Sequence, residues 1–484
     1  MGRDYDVIIL GSGPAGFSCA MQTAKFEKKA LIVEANQNYL GGAWINTGTV
    51  PSKSLREAAN NIFRYTTQFG SEDGLKPYER FRMRDVLKYK DRVLESENTA
   101  IKDNLIKNGV DTALGYGKIT GTDSVEVHRE DGSRETFTAD HILISTGATS
   151  TKPGVFEVDQ PAVLDNRSIL DIHYIPKRLV IVGFNIQAIE FATIFSALGT
   201  RVSILNGQND YLEFLDQEIK SELELIMDEL RISFHNRTEV LQVGPNPLRN
   251  CTEVRFKNKD SGEMHVMETE LVLYFGERKP NSSGIGLEDA GIQTDKKGFI
   301  LVDEHYRTNV PSVYAAGDVV GYPGLASVSF SQGRVASCHM FGASRLEIGN
   351  GIPYGIYSIP EIAGIGVTED EARQQGLDVT IGRAYYRELV KSNISKNKMG
   401  MLKLVFESKS LQLLGVHIIG EGACDLIHIG QAVISFNGSV RYFTDTVHNY
   451  PTYSEAYRVA AFNGINHLHK GGRTYENILD QSSD

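Results

Sequence analysis

One pattern occurs twice in this chain, and it leaves little freedom of fold. The segments YDVIILGSGPAGFSCAMQTAKFEKKALIVEAN and RLVIVGFNIQAIEFATIFSALGTRVSILNGQN follow the same order. Each reads as an apolar strand, a tight glycine turn, an apolar-periodic helix and a second strand. That is a βαβ unit, and two of them in one chain predict two nucleotide-binding domains of α/β class. The 484 residues leave room for both and for a further module, since this length suits about two to four domains.

The first unit carries the full dinucleotide fingerprint. Gly11, Gly13 and Gly16, with Pro14 and Ala15 between them, form G-x-G-x-x-G between strand and helix. The first glycine makes the turn, the second admits a pyrophosphate to the backbone, and the third lets helix and strand pack. The phosphates would rest on the helix N-terminus, where free N–H groups and the dipole favour anions. Glu34 ends the second strand, where a carboxylate can hold ribose hydroxyls.

The second unit departs from this pattern. Laid over the first from Gly11 onto Gly183, it puts Asn185 at the second glycine and Ala188 at the third. Asn206 replaces the acid, since Glu34 and Asn206 both lie 23 residues after their first glycine. Ala is tolerated at the third position. Asn at the second stands where pyrophosphate should approach, although it adopts positive φ more readily than most residues, so the turn can survive. Gln208 stands where a basic residue could have favoured a 2′-phosphate.

Two later strands end in glycine turns, HILISTGATSTKP with Gly147 and VYAAGDVVG with Gly317 and Asp318. Asp318 can reach a ligand's hydroxyls or can simply cap its turn. After about residue 350 a strand-like alternation precedes two helical patterns, which reads as an α+β module.

Composition excludes some partners. A net charge of -11 argues against a nucleic-acid backbone or an anionic membrane. No apolar run approaches the roughly 20 residues of a membrane span. The opening MGRDYDVIIL has no basic n-region or cleavage site, and Asp6 sits where a myristoylation signal wants Ser or Thr. Cys19, Cys251, Cys338 and Cys424 are far apart, so neither a disulfide framework nor a metal site is expected, and a reducing cytoplasmic compartment fits.

Taken in order, GTVPSKSLREA, FLDQEI, GDVVGYPGLASVSFSQGR, YSIPEIAGIG and NYPTYSEAYRVAAFNGIN make the whole chain resemble the pyridine nucleotide–disulfide oxidoreductase family. Within it the likeness is to the soluble transhydrogenase branch. The resemblance implies two Rossmann-like domains and a C-terminal α+β dimerisation domain. On this frame residues 1–155 and 286–350 bind FAD, 156–285 bind a nicotinamide nucleotide, NAD or NADP, and 351–484 pair the homodimer. It also implies that Gly11, Gly13, Pro14, Ala15, Gly16 and Glu34 hold the ADP half of FAD. Gly42, Ala43, Thr49, Gly147, Gly317, Asp318 and Ala326 line the rest of the cofactor. Gly183, Asn185, Glu190, Asn206 and Glu277 belong to the second nucleotide site. Lys53 would lie beside the flavin and pair with Glu190, a pair that can equally be structural.

The loop GGAWINTGTVPSK is the informative departure. In the disulfide reductases it supplies two redox cysteines, and here these positions are Trp44 and Thr49. Neither forms a thiolate, so dithiol chemistry is excluded. Trp44 also departs from the transhydrogenase branch, which commonly keeps the first cysteine; its ring either packs or shapes a substrate space. The acid–base pair of the family changes with the loop. NYPTYSE puts Tyr450 at the histidine position and keeps Glu455, and tyrosine, with an ordinary pKa of about 10, is a poor base at neutral pH. His448 falls on a non-catalytic position. In the motif usually Gly-Arg-x-Pro-Asn, Glu277 replaces the glycine.

The expected function is an FAD-dependent oxidoreductase that moves hydride between nicotinamide nucleotides. The alternatives are an oxidase or reductase of another small molecule with weak NAD(P)H binding, and a flavin-loaded dimer without catalysis.

Overall fold

A computed structural model describes residues 2–36, 39–69, 81–158, 161–343 and 351–470. The expected boundary at 350 and the chain end at 484 lie outside the described residues. The chain divides into two compact units, residues 1–54, 87–153 and 276–349 in one and 55–86, 154–275 and 350–484 in the other.

The first unit is built on a seven-stranded sheet. Asp111–Leu114, Ala30–Glu34, Tyr5–Leu10, Arg134–Ile144 and Val313–Ala315 run parallel in that spatial order. The start of Arg134–Ile144 turns back antiparallel onto Ser124–His128, which pairs with Tyr116–Ile119. Val7, Ile8 and Ile9 are wholly buried, and so is the run Ala30–Glu34. Continuous apolar runs of this kind are what a parallel strand covered on both faces requires. The helix Pro14–Lys25 lies against the helix Ala326–Met340 so closely that a Cβ on Gly333 would stand 1.9 Å from the Ala15 carbonyl oxygen.

The second unit holds the other βαβ pattern. Its five-stranded parallel sheet runs Ile232–His235, Arg201–Leu205, Arg178–Val182, Leu271–Tyr274, Val163–Asp165. An antiparallel meander, Thr238–Asn246, Cys251–Asn258 and Met264–Thr269, accompanies it. The same unit contains a five-stranded antiparallel sheet ordered Tyr354–Ile356, Glu361–Gly366, Leu413–Gly420, Gly400–Glu407, Val379–Tyr385. The helices Ala423–Ser435 and Glu455–Lys470 bury Ile427, Val433, Tyr457, Ala460 and Ala461 into one core with Leu402, Leu404 and Val416 of the sheet. The expected architecture, two Rossmann-like folds and a C-terminal α+β module, is the one observed. Among the described residues no helix is long and apolar enough to cross a membrane.

Candidate functional site

The first glycine turn is open where a phosphate would sit. Gly11 has φ +98, and a Cβ there would lie 2.5 Å from the Ser145 carbonyl oxygen, so only glycine fits. Gly13 is the N-cap of Pro14–Lys25, no side chain caps that end, and a Cβ on Gly13 would meet nothing within 4 Å. A helix N-terminus with uncapped N–H groups beside empty space suits an anion. Glu34 is buried one strand away. Its Oε2 accepts from the Ser12 backbone N–H at 3.1 Å and the Ser12 hydroxyl at 2.5 Å, and its Oε1 accepts from the Asn36 N–H at 3.3 Å. Ser12 Oγ in turn accepts from the Gly41 N–H at 2.9 Å. Ser12 therefore fastens the fingerprint turn to both the acid and the following loop. Sequence reasoning missed it by weighing only the glycines of the motif.

That loop is pressed onto the turn. A Cβ on Gly42 would stand 2.8 Å from Gly13 Cα, and Gly42 caps the short helix Ala43–Asn46. Trp44 sits on this helix with its ring edge-on to Phe330 at 4.9 Å and 90°. Its Nε1–H is buried without a hydrogen-bond partner. The helix Thr49–Phe69 begins directly afterwards and places Lys53, half-buried, at the start of its second turn. No cysteine lies in this loop. None of the four is in a disulfide, and burial pushes the Cys19 thiol up to about 12. Cys19, Cys338 and Cys424 are buried, and Cys251 lies on a strand of the other unit.

A third strand end completes the arrangement in the first unit. Ala148–Ser150 pairs antiparallel with Arg278–Pro280. Asn281 clamps the Gly147 turn: its N–H donates to the Gly147 carbonyl at 2.9 Å and its Nδ2 to that of Thr146 at 2.9 Å. Arg278 pairs with Asp318 at 2.6 Å. Gln332 Oε1 accepts from the Gly317 N–H at 2.7 Å, which holds the turn before Asp318. Ala326 opens the helix Ala326–Met340, whose N-terminus also lacks a side-chain cap. The Glu-Arg-Lys-Pro-Asn motif thus organises Gly147 and Asp318, with Glu277 exposed and its carbonyl accepting from the Thr151 N–H at 2.8 Å. Arg278 and Asn281 were not among the sequence candidates. A Pro-Asn pair after an arginine was their only local signal.

The second glycine turn is built differently. Gly183 carries the positive φ, +93, while Asn185 is extended at φ −153. The turn survives, as expected, but with Asn185 extended rather than at the positive φ open to it. The Asn185 side chain instead caps the helix Ile186–Ala197, Oδ1 accepting from the Ala188 N–H at 3.0 Å. One of the helix-end N–H groups open to an anion therefore already has a side-chain acceptor. Asn206 is buried and spent on its own loop. Nδ2 donates to Asn236 Oδ1 at 2.8 Å, and Oδ1 accepts from the Gln208 N–H at 3.0 Å. Glu190, buried on the same helix, accepts from the Tyr357 N–H at 2.9 Å.

The C-terminal candidates lie on the segment before the last helix. Glu455 opens Glu455–Lys470 and is buried, whereas Tyr450 is 66% exposed. His448 Nε2 is buried without a hydrogen-bond partner. Among the described residues no cluster of His, Cys, Asp or Glu could hold a metal ion.

The sequence patterns of two domains match this chain. The one described as pyridine nucleotide-disulphide oxidoreductase covers residues 5–333, and its dimerisation domain covers 352–461. A protein named soluble pyridine nucleotide transhydrogenase from Mycobacterium bovis is 37% identical over 475 residues, 96% of this chain and 98% of its own. One of the same name from Stutzerimonas stutzeri is 35% identical over 468 residues, 96% and 99% of the two chains. Among solved structures, the Cu(II) complex of the HOCl-induced flavoprotein disulfide reductase RclA from Escherichia coli has a TM-score of 0.85 at 22% identity, covering 96% and 99%. LpdA from Mycobacterium tuberculosis has a TM-score of 0.84 at 23% identity, covering 94% and 98%. At these identities the two structures speak to the fold.

Proposed function

The chain belongs to the pyridine nucleotide–disulfide oxidoreductase family, and on that premise we propose that it passes hydride between nicotinamide nucleotides through FAD, without a redox disulfide. One observation carries the reading: an intact, open first dinucleotide turn stands beside a loop that holds Trp44 and Thr49 where dithiol chemistry would need cysteines. The residues fit FAD. Gly13 and the uncapped helix behind it would receive the pyrophosphate, Glu34 the adenosine ribose, and Asp318, paired with Arg278, the hydroxyls of the far half. When bound, the flavin supplies the hydride acceptor and donor. Lys53, which the family likeness puts beside the flavin, would supply a positive charge there. Residues 156–285 would bind the nicotinamide nucleotide, and the family likeness implies that Tyr450 and Glu455 complete a site in trans across the dimer. Tyr450 serves there as a positioning hydroxyl rather than a base.

Stopped-flow spectroscopy tests this. The purified protein should be yellow with about one FAD per chain, and NADH or NADPH should bleach the flavin rapidly. A second, oxidised nicotinamide should restore the colour, while lipoamide and glutathione disulfide should not turn over. Slow bleaching by both nucleotides, with FAD firmly held, would favour the other reading, a flavin oxidase or reductase of a different small molecule. The Asn185 cap is the observation that favours it.

The dimerisation domain points to a homodimer. Val447, Tyr450, Tyr442, Phe436 and Phe462 are exposed around the last two helices, an apolar set of the kind that marks an association surface. Light scattering should report twice the chain mass at micromolar concentration; a stable FAD-loaded monomer would contradict this. A cytoplasmic location agrees with the reading.

A further inference from the structure

Trp44 is held more firmly than its place in a loop requires. Its four-residue helix is braced at both ends. Asn46 Nδ2 donates to the Leu40 carbonyl at 3.2 Å and to the Gly42 carbonyl at 2.9 Å, and the Thr47 N–H donates to the Ala43 carbonyl at 3.0 Å. The ring packs on the core cluster that contains Ile45 and Ala336, and Phe330 meets it edge-on. Its one polar atom, Nε1, is buried without an acceptor, so the part of this half-buried side chain that faces outward is carbon. The neighbours fix where the ring stands. Gly42 is pressed on Gly13, where a pyrophosphate would rest, and Glu34 would draw the adenosine half to one side. The other half leads to the Gly317–Asp318 turn, where a Cβ on Gly317 would stand 3.4 Å from Ala15 Cβ. Gln332 holds that turn from the helix Ala326–Met340, which also carries Phe330. The Trp44–Phe330 pair therefore lies on the flavin side of the pyrophosphate position.

We propose that Trp44, backed by Phe330, is a hydrocarbon shield at the flavin end of the FAD site, which slows the loss of electrons to dioxygen and so keeps the reduced cofactor for its nucleotide partner. The proposal rests on the reading above that the first unit holds FAD. A thiol pair in this loop would be a redox partner for the flavin; Trp44 and Thr49 are none, so the reduced ring must keep its electrons until an acceptor arrives. Dioxygen is the competing acceptor in aerated solution. That reaction takes two electrons and one proton from the anionic reduced flavin and one proton from water, leaves the flavin oxidised and releases hydrogen peroxide. Negative charge develops on the oxygen as it is reduced, and a carbon wall that excludes water does nothing to stabilise it. An indole is the largest side chain available to fill such an approach, and its edge contact with Phe330 fixes its plane.

The test uses the FAD-loaded, full-length protein. The flavin is reduced anaerobically with stoichiometric dithionite, so that the second nucleotide site plays no part, and is then mixed with aerated buffer. Trp44→Ala and Trp44→Leu should speed the return of the flavin colour by about tenfold or more, whereas Trp44→Phe, which keeps an aromatic wall, should stay within about twofold of the wild type. Hydrogen peroxide should appear in step with the colour. Iodide should quench the flavin emission of Trp44→Ala and Trp44→Leu more steeply than that of the wild type, a measure of access that involves no turnover. Phe330→Ala, which removes the backing from the other helix, should move both readings the same way by less. If Trp44→Ala fails to fold or to hold FAD, Trp44→Leu and Phe330→Ala carry the comparison. Unchanged reoxidation in FAD-loaded Trp44→Leu would overturn the shield and leave the FAD reading intact. Faster reoxidation without steeper quenching would also overturn it, because Trp44 would then act on the flavin's chemistry rather than on access. Wild-type protein that holds no FAD would overturn the FAD reading and the shield with it.

Discussion

Lys403→Ala should lower the stability of the chain by about 3–5 kcal/mol, the cost of breaking a buried ion cluster by removing one partner. Lys403 is 1% exposed on the strand Gly400–Glu407. Its Nζ lies 2.9 Å from Asp216, 2.8 Å from Glu218 and 2.8 Å from Glu369, so each ammonium donor has a carboxylate. Arg383 forks onto both oxygens of Glu218 at 2.6 Å. Asp216 is also 1% exposed and caps the helix Gln217–Glu229 by accepting from the Glu218 N–H at 3.0 Å. Without Lys403, that buried carboxylate loses the cation beside it. The double change Lys403→Ala with Asp216→Asn should recover part of the loss, because the orphaned charge is then gone.

The cluster also fixes a pH dependence. The Arg383 hydrogen bonds, aided by Lys403, hold the Glu218 carboxyl down to about 2 against the opposing effect of burial. A folded pKa below the unfolded value means stabilisation that is full above about 4.5 and is lost as pH falls toward about 2. Urea unfolding followed by circular dichroism, at neutral pH and at intervals below pH 5, measures both effects. A loss under about 1 kcal/mol for Lys403→Ala would mean that solvent reaches Asp216 and that the cluster is not a strut.

The cluster joins the helix Gln217–Glu229 of the nucleotide-binding fold to the antiparallel sheet of the C-terminal module, and this explains why it was not legible in the sequence. GMLKLVFE reads as a strand with an ordinary lysine, and the partner Asp216 lies 187 residues away. Elements were legible because their cause is local. The glycine turns, the apolar strands and the helical periods each lie within about 30 residues of sequence. Glu34 and the open Gly13 belong to that class. Ser12, Arg278 and Asn281 do not, since each acquires its meaning from a carbonyl or carboxylate delivered by another strand. Trp44 is intermediate. Its substitution for a cysteine was plain, but its edge contact with Phe330 and its unpartnered Nε1 needed the fold.

Asn185→Gly should tighten NADH and NADPH binding by about tenfold each, and speed flavin reduction by either nucleotide at limiting concentration. The two turns supply the comparison. Gly13 leaves its helix end uncapped, whereas Asn185 Oδ1 engages the Ala188 N–H at 3.0 Å. A pyrophosphate oxygen must displace that amide to reach the helix end, and a hydrogen bond to a charged group is worth about 1.5–3 kcal/mol. Removing the competitor returns part of this, and about 1.4 kcal/mol is tenfold. The change costs the helix little, because glycine at an N-cap loses only about a few tenths of a kcal/mol relative to asparagine. FAD binding should not move, since Gly11, Gly13 and Glu34 are untouched. The effect should also be indifferent to the 2′-phosphate, because the pyrophosphate is common to both nucleotides. Titration of the wild type and the variant with both nucleotides decides the matter. Weaker binding by the glycine variant would make Asn185 a ligand of the nucleotide in its own right, and the second turn an adapted site rather than an obstructed one.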